Sequence, residues 1–168
     1  MLTNNFYQAM RAYLSQTTLN SVLKTLDNSS INCYYTMDMS ANPVAVFGLK
    51  NVSTGGYGIM FGTGNVPPSV DDYKMSGDVI STISILARSA QSSFDAGGVH
   101  TTSVLTVQNT SSTDTIVINE IGFVAYTFTA SSRGAYTLVD RTVLDEPLTL
   151  APGEQGVITH MLDWSIIQ

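Results

Sequence analysis

Thr115-Ile-Val-Ile-Asn-Glu-Ile-Gly-Phe-Val124 decides how this chain folds. Side chains alternate across a strand, so Val117, Ile121 and Phe123 share one face while Ile116, Ile118 and Glu120 share the other. Both faces are partly apolar, which suits a strand in the middle of a sheet or one whose second face meets another subunit.

Outward from this stretch the same short period recurs. Strands are expected at 78–87, 99–109, 115–126, 136–143 and 155–166, separated by turns at Asp95-Ala-Gly-Gly98, Ser111-Ser-Thr-Asp114, Ser131-Ser-Arg-Gly134 and Ala151-Pro-Gly153. Upstream, Leu19, Ser21, Leu23 and Thr25 keep period two and Asn28-Ser-Ser30 reads as a turn. Pro43-Val-Ala-Val-Phe-Gly-Leu49 suits a buried strand, Gly55-Gly-Tyr-Gly-Ile-Met-Phe-Gly-Thr-Gly64 brackets another, and Pro67-Pro68 opens a loop through Tyr73. Only the N-terminus is helical in pattern. Phe6, Met10, Tyr13 and Leu14 line one face of a helix over about 3–15, with Thr3 or Asn4 as N-cap.

These elements predict a mainly β fold: an antiparallel β-sandwich, jelly-roll or Ig-like, of about eight or nine strands. The division expected is 1–15 as N-terminal helix and 16–168 as a single β-sandwich domain, with Trp164 on the closing strand either packed between the sheets or exposed as an interface residue. A helix of about 12 residues is marginal alone, so its apolar face must rest on this subunit's own sheet or on a neighbouring subunit; the reading adopted is that it serves assembly more than folding.

Composition narrows the function. The chain of 168 residues is 43% hydrophobic but only 12% charged, against ~25% in an ordinary soluble domain, and its surface is correspondingly rich in Ser, Thr and Asn. Few charges point to a surface covered by other proteins in an assembly. The net charge is −6, and Lys24, Lys50, Lys74, Arg88, Arg133 and Arg141 are scattered singly, so neither nucleic acid nor an anionic membrane is an expected partner. The start, MLTNNFYQAM, does not read as a secretory signal and no run reaches the ~18 apolar residues of a membrane span, which places the product in the cytoplasm or in a particle released by lysis.

No pattern of catalytic chemistry emerges. Cys33 is the sole cysteine and reads as a small apolar filler. His100 and His160 sit in alternating strands without a nucleophile elbow, and could share a metal only if those strands are neighbours and carboxylates join them. Asp71-Asp72 and Asp145-Glu146 are adjacent acids that a strand would point apart; loop hydrogen bonding is the plain reading, with a calcium site at Asp71 or Asp72 the alternative. The glycines of 55–64 lack the Gly-Lys-Ser/Thr ending of a phosphate loop and read as turn and bulge glycines. Sequons at Asn28, Asn51 and Asn109 are what a Ser/Thr/Asn-rich chain produces by chance. The expectation is therefore a protein that is not an enzyme, with no catalytic, cofactor-binding or metal-binding residues and no cofactor.

Two stretches carry a resemblance. Phe61-Gly-Thr-Gly-Asn-Val-Pro-Pro-Ser-Val-Asp-Asp-Tyr-Lys-Met75 resembles the "G-T-G, then Pro, then D-D-Y-K-L" segment of small structural proteins of tailed phages and prophages of gut bacteria. Asn119-Glu-Ile-Gly-Phe-Val124, with Leu138-Val-Asp-Arg-Thr-Val-Leu144 and Leu150-Ala-Pro-Gly-Glu154, is similar to the strands and the Pro-Gly-Glu turn of β-rich virion proteins. The resemblance covers about 61–165 and implies a non-enzymatic virion subunit of head, neck or tail, a homo-oligomer that binds other virion proteins. The competing class is a receptor-binding tip that recognises carbohydrate through Tyr34, Tyr35, Tyr57 and Tyr73.

Overall fold

The computed structural model describes residues 1–15, 19–33, 58–95, 98–128 and 134–165. Along the chain run α1 (Asn4–Ser15), β1 (Leu19–Lys24), β2 (Ser30–Cys33), β3 (Gly58–Gly62), β4 (Ile83–Asp95), β5 (Gly98–Asn109), β6 (Ile116–Phe128), β7 (Gly134–Leu150) and β8 (Gln155–Ser165). The mainly β, antiparallel class with one short N-terminal helix is what the structure shows, in three sheets ordered β1-β2, β3-β6-β7 and β4-β5-β8. The expected strand at 43–49 lies outside the described residues.

Two compact units divide the chain: Met1–Ser81 with Ile118–Glu146, and Thr82–Val117 with Pro147–Gln168. In the first unit β6 is the central strand, as its two apolar faces require: Ile59 stands opposite Phe123 and Phe61 opposite Ile121 on one face, and Met60 opposite Gly122 on the other. All five residues of β3 are buried. On the second face Met60, Met75, Val124 and Leu138 form a core cluster, flanked by Leu26, Val79 and Tyr136.

The helix α1 is held to its own chain. Leu23 of β1 is fully buried against Ala9 of α1 together with Leu19, Val22 and Ile31, and Phe6 is buried as well. Asn5, itself buried, donates from Nδ2 to the Lys24 and Leu138 carbonyls at 2.8 and 3.0 Å and accepts from the Lys24 amide at 2.7 Å. Thr3 stands at the N-cap, its carbonyl accepting the Phe6 amide at 3.0 Å, while its hydroxyl donates to the Leu138 carbonyl at 2.7 Å. The reading of α1 as mainly an assembly element is thereby corrected: amides, hydroxyls and apolar groups of its first turns are used inside the subunit. The side chains of Tyr13 and Leu14 lie outside the described residues.

In the second unit β5 is flanked by β4 and β8 in continuous antiparallel register, broken only by a bulge that leaves Leu86 extra between Ile85 and Ala87. One face carries the buried residues Ser103, Leu105, Val107 and Asn109 of β5 with Ile158 and His160 of β8. Trp164 pairs with Val99 in this register; its side chain lies outside the described residues. The expected Pro-Gly turn precedes β8. The Glu154 amide donates to the Ala151 carbonyl at 3.0 Å and Gly153 has φ +76°, the geometry of a type II turn with Pro152 and Gly153 at its centre. Glu154 completes it by accepting the Ala151 amide on its carboxylate at 2.7 Å.

Three strand limits differ by five residues or more from the sequence reading, one of them the end of β4, which runs on from 87 to Asp95. β4 begins at Ile83 rather than 78, because 78–80 bonds back to the end of β3: the Thr63 amide donates to the Asp78 carbonyl at 3.0 Å and the Ile80 amide to the Phe61 carbonyl at 2.8 Å. β7 continues past 143 to Leu150, carrying exposed Asp145, Glu146 and Pro147 within the strand.

Candidate functional site

The most concentrated polar chemistry among the described residues lies where the segment from Thr63 to Ser81 crosses the sheet of the first unit. Glu120 projects from β6 on the same face as Gly122 and Val124, and Arg141 from β7. Neither has meaningful exposure: Glu120 is 0% and Arg141 1% exposed. A charge in such a place is tolerated only when paired and hydrogen-bonded.

Both conditions are met. Glu120 Oε1 accepts the amides of Gly64 at 3.1 Å and Gly77 at 2.8 Å, while Oε2 accepts the Ser76 amide at 3.1 Å, the Ser76 hydroxyl at 2.9 Å and Arg141 Nη1 at 2.6 Å. Arg141 uses three further donors: Nε to Asp72 Oδ2 at 2.7 Å, and Nη2 to the Val66 and Pro67 carbonyls at 2.8 and 3.0 Å. Asp72 Oδ2 also takes the Ser69 amide at 2.7 Å. Burial alone would raise the Glu120 carboxyl, but the Gly77 and Ser76 amides, the Arg141 guanidinium and the Ser76 hydroxyl outweigh it and hold it below the ordinary value of 4.5. Burial likewise works against the Arg141 cation, and Asp72 and Glu120 more than compensate, raising it further.

Glycine makes the approach possible. A Cβ on Gly64 would stand 1.9 Å from Ser76 Oγ and 2.4 Å from both Glu120 Oε1 and the Gly77 amide nitrogen, and a Cβ on Gly77 would stand 2.3 Å from the Gly64 amide nitrogen. Gly64 therefore serves close approach of backbone to carboxylate. That differs from the turn-and-bulge reading of the 55–64 glycines, in which only Gly58, at φ 140°, has a left-handed backbone among the described residues.

This site is a clamp with no free valence. A carboxylate oxygen pair offers about four lone-pair positions, and five donors occupy them, so Glu120 has no vacancy for a substrate proton or a metal. Asp72 is committed to Arg141, and Asp71 is an exposed loop residue whose amide meets Ser69 Oγ at 3.3 Å. Among the described residues no group of three His, Cys, Asp or Glu side chains is placed to hold a metal, and no helix is long and apolar enough to cross a membrane.

The remaining candidates are not brought together. β5 and β8 are neighbours, but His100 pairs with Asp163 and His160 with Ser103, three positions apart along the strand, so the two histidines project to opposite faces. His160 and Ser103 are both buried, closed to a substrate. Asp145 and Glu146 are consecutive in β7 and point apart. Asn109 is fully buried, with its amide donating to the Asp114 and Leu150 carbonyls at 2.7 and 3.0 Å. Cys33 stands in β2 opposite Leu19. Of the four tyrosines, Tyr34, Tyr35 and Tyr57 lie outside the described residues; Tyr73 is half-buried with Lys74 Nζ 5.8 Å from its ring centre.

Comparison of the chain with protein-family models, with curated proteins and with solved structures finds no match.

Sequence reasoning missed the clamp itself. It counted Arg141 among cations scattered singly along the chain and weighed Asp72 for calcium. The signal was present: Glu120 and Arg141 each interrupt an apolar strand, and an ion at a buried strand position requires a partner of opposite sign.

Proposed function

We propose that this chain is a non-enzymatic structural subunit of a tailed-phage particle, an accessory protein of head, neck or tail that works by packing against other virion proteins and against copies of itself. One observation carries the reading. Three of the segments that carry the resemblance to phage structural proteins, 61–75, 119–124 and 138–144, supply Gly64, Asp72, Glu120 and Arg141, which meet in one saturated clamp. Residues that define the resemblance thus serve architecture, and their chemistry is consumed in holding backbone. The low charge of the chain accords with a surface meant for other proteins.

Mass spectrometry of purified particles from a producing strain tests this directly. The chain is expected in the particles at a fixed ratio to the major coat or tail protein. Its absence from particles, with the protein abundant in the lysate, would overturn the proposal.

A further inference from the structure

We draw no further inference here: the strongest candidate, the exposed apolar surface of Val66 and Val70 on the loop that Arg141 holds at its Val66 and Pro67 carbonyls, carries nothing, since nothing in the structure shows what covers it.

Discussion

At Glu120 a carboxylate with no exposed surface takes five donors, and that saturation governs how the molecule responds to acid. Its folded value lies below the unfolded 4.5, so folding favours the charged form. The stabilisation is complete above about pH 4.5 and is lost as pH falls through the depressed folded value. Removing one partner of a buried ion pair costs roughly 3–5 kcal/mol. Glu120→Gln is therefore expected to lower stability by about that much near neutral pH, and the gap to wild type should narrow on acidification, because the wild type loses the part of its stability that comes from the depressed carboxyl. Urea unfolding of both proteins between neutral pH and pH 3 checks this; parallel curves with a constant gap would contradict it. The identity of these residues was legible, but their meeting was not. Glu120, Arg141 and Gly64 are far apart in sequence, and period-two reasoning assigns a face without naming the partner across the sheet.

Between residue and molecule, the elements differ in how far local signals specify them. The β1–β2 turn, the type II turn at Ala151–Glu154 and the loop after Pro67-Pro68 were legible because Pro fixes φ while Gly and Asn accept the positive φ that turns need, all of them local effects. Asn28 indeed adopts φ 68° at its turn. The start of β4 was not legible, since hydrogen bonds from 78–80 to the end of β3 are a long-range choice that no local pattern announces. The role of α1 was half legible: its apolar face was visible, but what it covers depended on Asn5 and Leu23 finding each other's elements. Deletion of residues 1–15 should therefore destabilise the subunit. Exposing Leu23 alone costs about 1.5–3 kcal/mol, and the Lys24 and Leu138 groups lose their Asn5 partner at about 1 kcal/mol each. Thermal unfolding followed by circular dichroism is expected to show a markedly lower midpoint in the truncated chain. An unchanged midpoint would return α1 to an assembly role.

Across the whole molecule, the clamp lies wholly within the unit of Met1–Ser81 and Ile118–Glu146. The central claim is that Glu120 is a structural clamp on the segment from Thr63 to Ser81. Native-state hydrogen exchange of wild type and Glu120→Gln, read at single-residue resolution, tests it most directly. The amides of Gly64, Ser76 and Gly77, which donate to the carboxylate, should exchange in the wild type as slowly as those of β3. In Glu120→Gln they should accelerate by at least tenfold relative to the β5 and β8 amides of the other unit. Fast exchange of these three amides in the wild type, or equal protection in both proteins, would contradict the account.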